Sequence, residues 1–521
     1  MNIEKQPKLV KKHKSTPKII LQAFFVCLGA FYFGYALGEL NMALEKLGIA
    51  YDIDDSDYTD IYEGMLTSAV PLGACFGCLI CGALLKIVGR RTLMIFCDTF
   101  GLALGFLFLV KNFWTACVGR LIMGLLVGFN STIVPLYIRE ISPVSVSGIT
   151  GILNQGNINI GILAGYLLGL NFPMSNDEDK QQEELENQSD SWWRFVLFFP
   201  SIMCALRLAA LLFIYRQETP QYLMLKDKKQ EAQKIVEKTY KPEFVPEIML
   251  DLEAETQTKL NQNDSWSLIF SKKYRGRLFL GSMMQIFQQL SGINAIVFYS
   301  SKIFEDSTGD KKVANYMTIV SGILLMVFSF SASIFSKKYG RKTILALGNF
   351  GLMFFLIIVG ICAIITRDTE DISTAWAVVI IGLIFLYEIV FSLSLGPIVW
   401  IYNADFLNSE KALGFCTAVN WACAFIIGLI IPTLISAIKI YSVFFIFAAI
   451  AFLGFLYTLA FAKETFGLTQ KQILALFISD SKQVSDDNQM QKPHKNSKQP
   501  SSTDNENLDE NLSHQIPQPA E

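Results

Sequence analysis

The chain has 521 residues, of which 52% are hydrophobic and 17% charged, more apolar material than one soluble interior takes up, so the surplus belongs in lipid. With 44 Lys and Arg against 46 Asp and Glu and a net charge of −2, there is no broad basic field for nucleic acid. The three histidines, His13, His494 and His514, lie in polar terminal stretches, and no nucleophile with an adjacent base and no phosphate-binding glycine loop occurs, so an enzyme is not expected.

Residues 1–18 are lysine-rich and form a predicted cytosolic tail. The apolar run that starts at Ile19 is too long for a signal peptide and lacks a cleavage site, so it reads as a first membrane span. Further spans are predicted at 61–85, 93–110, 113–138, 149–172, 193–215, 278–304, 314–335, 344–365, 375–402, 412–437 and 441–462. The expectation is an all-α membrane protein of twelve helices in two bundles of six, 19–215 and 277–462. The stretch 216–276 between them is charged and helically patterned, predicting short cytosolic helices. Residues 463–521 form a second cytosolic tail, and from Ser479 onward its Ser, Gln, Asn, Asp and Pro content predicts disorder.

Charge placement predicts orientation. Lys86, Arg90 and Arg91 follow the second span and Lys337, Lys338, Arg341 and Lys342 follow the eighth, whereas the loops after the first and fifth spans are acidic. Both termini are therefore expected inside. Asn187-Gln188-Ser189 is a glycan acceptor triplet in an acidic loop predicted outside. All ten cysteines lie in apolar segments, which implies no disulfide framework. Cys75, Cys78 and Cys81 share a helix face with Gly73, Gly77 and Gly82, a pattern read as small-residue packing and not as a metal site.

The chain is organised around Gln285 to Ser300, QIFQQLSGINAIVFYS. Gln288, Gln289 and Asn294 fall within about half of the helix circumference in an otherwise apolar span, and Ser291, Gly292 and Ile293 predict a bend beside them. Such amides serve either as hydrogen-bond glue between helices or as a site for a ligand rich in hydroxyls. An internal repeat frames them. VGRRT at 88–92 recurs as YGRKT at 339–343, Tyr137 with Glu140 recurs as Tyr402 with Asp405, and Glu218-Thr219 recurs as Glu464-Thr465, roughly 250 to 265 residues on. Two parallel repeats imply two bundles with a site between them.

QQLSGINAIVFYS resembles the helix 7 signature of the sugar porters of the major facilitator superfamily, the group of the facilitative glucose transporters, and the resemblance runs over roughly 24–467. It implies that Gln288, Gln289 and Asn294 bind sugar hydroxyls, with Gln155 of ILNQGNINIG, Trp400 of GPIVW and Asn420 of the NW pair. Trp400 follows Gly396-Pro397, which breaks the helix and aims an indole face at the C–H face of a pyranose. Arg120 with Gly124 and Gly128 matches GRxxxG, and VPLYIRE and ETPQYL match two further signatures. Arg90, Arg120, Glu140, Glu218, Arg341, Asp405 and Glu464 are read as near cytosolic helix ends, where they act either as a charge-assisted inner gate or as ordinary interfacial charge. The gate is the expectation, because the repeat duplicates it.

The chain departs from the family pattern at several positions. Lys86 and Lys337 replace a frequent acid, Ser147 an arginine, Leu325 a sugar-binding asparagine and Ser392 a glutamate. Ala36 stands where proton-coupled members carry aspartate; Glu39, three residues later, is a candidate proton carrier, and Glu388 is a second unexplained carboxylate. The expected function is facilitative uniport of a monosaccharide, a hexose such as glucose, by alternating access in the plasma membrane, without a cofactor. The alternatives are proton symport through Glu39 and a non-transporting sugar sensor of the same fold. Oligomeric state is not legible.

Overall fold

The computed structural model describes residues 13–53, 58–85, 87–261, 265–272, 274–335, 338–366, 374–407, 409–468, 472–473 and 475–477. The predicted disordered tail from Ser479 lies outside them. The account below concerns the compact unit that runs to Leu474; of the second unit, which starts at Ala475, one helical turn at 475–477 is described.

The first half contains α1 (Thr16–Gly38), α2 (Leu44–Ala50), α3 (Thr59–Leu84), α4 (Arg90–Leu107), α5 (Phe113–Ile141), α6 (Val144–Gly169), α7 (Glu178–Asn187) and α8 (Ser191–Ala209), which ends in a π turn at Ala210–Ile214. The connecting stretch forms α9 (Pro220–Leu225), α10 (Lys229–Thr239), α11 (Val245–Asn261) and α12 (Trp266–Ile269). The second half contains α13 (Arg275–Gln289), α14 (Ile293–Thr308), α15 (Lys311–Phe335), α16 (Arg341–Thr366), α17 (Thr374–Leu393), α18 (Leu395–Phe406), α19 (Glu410–Ile438) and α20 (Ile440–Phe461). Side chains cap the starts of several helices: Asn112, Asp177, Thr219, Ser265 and Ser409 each accept a bond from a first-turn backbone N–H.

Nine helices among the described residues are long and apolar enough to cross a membrane: α1, α3, α5, α8 with its π turn, α15, α16, α17 joined to α18, α19 and α20. The other three predicted spans are also helical. α4 carries Arg90, Arg91 and Asp98, α6 carries Gln155 and three asparagines, and the seventh span is broken into α13 and α14.

Glycines set how closely the helices approach. α3 and α5 cross backbone to backbone through Gly73 and Gly77 against Gly124 and Gly128, so that a Cβ on Gly73 would lie 2.1 Å from the Leu121 carbonyl and one on Gly128 2.4 Å from that of Ala74. The GRxxxG glycines are thus contact surface, with Cys78 Sγ on the Gly128 carbonyl at 3.4 Å; a Cβ on Gly82 would meet no described atom within 4 Å, so Gly82 is not part of that close contact. Inside the first half, Arg207 of α8 clasps Asp98 of α4 with Nε 2.9 Å from each carboxylate oxygen and Nη2 at 2.6 Å. Both are fully buried. Sequence reading missed this pair.

The connecting helices close over a small core of Val236, Val245 and Met249, with Met224, Tyr240, Ile248 and Leu252 against it. The N-terminal segment docks there. His13, placed by sequence in a solvated tail, is 2% exposed and pairs with Tyr240 in an isolated antiparallel bridge, while the Lys14 backbone N–H donates to the Thr239 carbonyl at 2.9 Å.

Candidate functional site

The seventh span breaks where the sequence predicts a bend. α13 ends at Gln289, Gly292 takes φ 100°, and α14 restarts at Ile293. Only glycine reaches that conformation without strain. The break brings five amides together. Asn294 Nδ2 donates to Gln289 Oε1 at 2.8 Å, Gln289 Nε2 to Asn420 Oδ1 at 2.6 Å, and Asn420 Nδ2 to Gln285 Oε1 at 2.7 Å and Gln288 Oε1 at 2.8 Å. Gln288 Nε2 then donates to the carbonyls of Leu395 and Gly396 at 2.8 and 2.9 Å. Those carbonyls are available because the tenth span breaks at Ser394, between α17 and α18. Gln285 is an amide that sequence reading left out, although it is one turn before Gln289; its Nε2 is buried and has no partner among the described residues.

Two expected members stand apart from this network. Gln155 on α6 is half-buried and donates weakly, at 3.5 Å, to Asn159 of its own helix. Asn159, which the reading passed over, is the α6 amide that crosses to the second half, with Nδ2 2.8 Å from the Leu325 carbonyl and 2.6 Å from Ser329 Oγ. Trp400 follows the break on α18 and is half-buried. Leu325 contributes that carbonyl, and the Ser392 hydroxyl is buried with no partner among the described residues.

At the end of the molecule that carries α2 and α7 the two halves are bonded together. Asn41 donates to the Val297 carbonyl at 2.9 Å and to Ser300 Oγ at 3.0 Å and accepts from the Ser301 N–H; Tyr166 donates to the same Val297 carbonyl at 2.9 Å. Lys311 pairs with Glu45, which also accepts from Gln181 of α7, and Asp60 accepts from Ser436. Gly64 and Gly428 let α3 and α19 approach, with a Gly64 Cβ lying 2.6 Å from the Leu429 carbonyl. Asn187 is exposed at the end of α7 and lines a surface hollow of about 630 Å³ with Asn171, Lys180 and Gln188, beside α7 and not at the amides.

The opposite end carries two copies of one arrangement. In the first half, Arg90 pairs with Glu140, Thr219 Oγ1 donates to Glu140, and Glu218 accepts from the backbone N–H groups of Arg91 and Thr92 at 3.1 and 3.0 Å. In the second half, Arg341 pairs with Asp405, Thr465 Oγ1 donates to Asp405 at 2.7 Å, and Glu464 accepts from the N–H groups of Arg341 and Lys342 at 2.7 and 3.2 Å. Glu218 and Glu464 each meet the N-terminus of a helix, where backbone N–H groups and the helix dipole favour an anion. The bonds named here lie within one half or the other. Lys86 and Lys337 lie outside the described residues.

Arg120 does not belong to that end. It sits two turns into α5, twenty residues before Glu140, about 30 Å along the helix at 1.5 Å per residue. Its guanidinium is 2% exposed; it pairs with Glu39 and donates to the Leu66 and Ala36 carbonyls at 2.7 and 3.2 Å. The reading misplaced it because charge was assigned to helix ends, whereas a buried arginine is placed by its anion. Glu39 thus has an ion-pair partner, yet its Oε2 has none among the described residues. Glu388 accepts from Ser321 on α15. Among the described residues no group of three or more His, Cys, Asp and Glu side chains is arranged to hold a metal.

Known proteins share this chain's pattern over most of its length. The profile of the family described as sugar (and other) transporter matches residues 22–477. The chain is 32% identical to plastidic glucose transporter 4 of Arabidopsis thaliana over 88% of its length and 80% of that protein's. It is 30% identical to hexose transporter 1 of Plasmodium vivax (strain Brazil I), covering 86% and 90%, and 28% identical to facilitated glucose transporter member 3 of Ovis aries, covering 89% and 93%. The fold is similar to that of the proton:xylose symporter XylE bound to 6-bromo-6-deoxy-D-glucose, with a TM-score of 0.74 at 21% identity over 89% of this chain and all of that one. With the broken seventh span, the linked amides and the duplicated charge clusters in place, the chain belongs to the sugar (and other) transporter family, multi-pass membrane carriers and not enzymes.

Proposed function

We propose that the protein carries a monosaccharide, a hexose such as glucose, across the plasma membrane by alternating access, as a uniporter with twelve spans and both termini in the cytosol. The observation that carries this reading is the amide network at the α13–α14 break: Gln288, Gln289, Asn294 and Asn420 present both donors and acceptors in an apolar interior, the chemistry that exchanges bonds with sugar hydroxyls. Gln155 reaches the sugar from the first half and Trp400 stacks on it, so the ligand is held by both bundles and senses their rocking. Arg90, Glu140, Glu218, Arg341, Asp405 and Glu464 tie the inner helix ends of each bundle and govern closure on that side. The α2–α7 end faces outward, which places Asn187 where a glycan is added. Uptake of labelled hexoses into liposomes containing the purified protein tests the proposal; absence of saturable uptake for every hexose would refute it.

A second reading, proton symport, is favoured by one observation: Glu39 is buried against Arg120, and one of its carboxylate oxygens has no partner among the described residues. A proton on Glu39 would release Arg120. The two readings separate in the same liposomes, since only the symporter accumulates sugar above its external concentration when a pH gradient is imposed.

A further inference from the structure

Glu388 differs from the other acids buried in the interior. Asp98 has Arg207 and Glu39 has Arg120, whereas Glu388, 0% exposed on α17, receives a hydrogen bond from Ser321 of α15 on Oε1 and has no partner on Oε2 among the described residues. Among the described residues, the groups that face it carry no positive charge. They are Ser321 from α15, Tyr166 from α6, and Tyr387 on its own helix, whose hydroxyl is turned to the Ser291 carbonyl. Next to Tyr387, α14 presents Ile296 and Ile303 and α16 presents Leu356. A charge in such surroundings has no counter-charge among the described residues to compensate it.

What covers this carboxyl comes from the other half of the molecule. Gly322, next to Ser321, is packed by Leu163 and Tyr166 of α6, each 3.1 Å from where its Cβ would be. Tyr166 is also one of the two donors on the Val297 carbonyl in the seal at the α2–α7 end. If the halves parted at that end, Tyr166 and Leu163 would leave Ser321 and Glu388, and water would reach them.

We propose that Glu388 is a proton-binding site filled from the α2–α7 side: its carboxylate is hydrated and ionised when that end is open, and takes one proton from the water there as the end closes. The proton returns to the same side on reopening, so no net proton crosses the membrane. Acid on the α2–α7 side therefore favours the closed seal by linkage. The inference rests on the reading of the chain as an alternating-access carrier and adds a regulatory ligand to it.

Two measurements on the full chain in lipid nanodiscs test it. In the first, infrared difference spectra between acid and alkaline buffer are searched for the carbonyl stretch of a protonated carboxylic acid. That band is expected in the wild type and in Glu39→Gln, absent in Glu388→Gln, and shifted in Ser321→Ala, which alters the site without removing the acid. In the second, a reporter thiol is placed by Leu163→Cys and its maleimide labelling is resolved from the native cysteines by peptide mass spectrometry. The rate, divided at each pH by the rate for the same reporter with Glu388→Gln, is expected to rise with pH by up to tenfold per unit over the titration range. A ratio that is flat with pH, or a band unchanged by both Glu388→Gln and Ser321→Ala, overturns the proposal. Neither readout needs sugar movement: the band and the pH-dependent ratio in a chain without uptake would sink the carrier reading alone, and uptake with neither would sink the proton site alone.

Discussion

Arg120 of α5 donates to the carboxylate of Glu39, just past the end of α1, and both side chains are sealed from solvent. Breaking such a pair from one side leaves an uncompensated charge and costs about 3 to 5 kcal/mol, while removing both groups costs little or nothing. Glu39→Ala should therefore lower the melting temperature of the detergent-solubilised protein sharply, and Glu39→Ala with Arg120→Leu should recover most of it. A double variant no more stable than the single one would mean that Arg120 is held by the Leu66 and Ala36 carbonyls alone.

Gln289 is the hinge of the amide network, accepting from Asn294 and donating to Asn420. A buried hydrogen bond contributes about 1 kcal/mol, and two lost together correspond to a roughly 10- to 30-fold change in affinity. Gln289→Ala should raise the apparent KM for hexose uptake by that amount at unchanged surface expression. An unaltered KM would show that the amides are glue between helices.

The duplicated clusters make a paired prediction. A Cβ on Gly89 would lie 2.1 Å from Glu218 Oε1, and one on Gly340 2.1 Å from Glu464 Oε2. Gly89→Ala and Gly340→Ala should each displace a carboxylate from a helix N-terminus, a loss of about 0.3 to 1 kcal/mol at each. Uptake rate should fall to a similar extent in both variants. A defect from only one of them would mean that the two halves do not share the work at that end.

Lys311 and Glu45 join the halves across the α2–α7 end, with the Lys311 side chain 10% and that of Glu45 49% exposed. A pair open to water on one side is worth roughly 0 to 1 kcal/mol, enough to tilt a balanced equilibrium by about fivefold. Glu45→Lys should speed labelling of a reporter thiol on α14 from that side, and Glu45→Lys with Lys311→Glu should return it to the original rate. Raised salt should shrink the difference.

Asn187 lies exposed at the end of α7. In a secretory host it should carry a glycan, seen as a glycosidase-sensitive mass shift that disappears in Asn187→Gln. A shift that survives the substitution would contradict the proposed outward placement of α7.

The parts of this protein that were legible in the sequence are those that depend on local pattern. Gly292 between two helical runs announced the break in the seventh span, and the recurrence of VGRRT as YGRKT announced the paired clusters around Glu218 and Glu464. What stayed hidden were partnerships across long separations. Arg120 and Glu39 are 81 residues apart and Asp98 and Arg207 109 apart, and no periodicity links them. Asn41 and Asn159 were overlooked for another reason: each bonds one backbone carbonyl, Val297 or Leu325, and one serine hydroxyl, Ser300 or Ser329, groups too common along the chain to leave a signature.

The split of the seventh span has a mechanical consequence. α13 is fastened to the second half, through Gln288 to the carbonyls at the α17–α18 break and through Gln289 to Asn420 of α19. α14 is gripped from both sides, by Asn41 and Tyr166 of the first half at Val297 and by its own Tyr299 on the Gly428 carbonyl. One span is thereby divided into an anchored stem and an arm that two bodies pull upon, with Gly292 as the pivot. The amides stand at that pivot, where a small displacement becomes a large one at the tip of the arm. A ligand that rearranges the Gln289 to Asn294 bond acts at the short end of a lever whose long end is the seal.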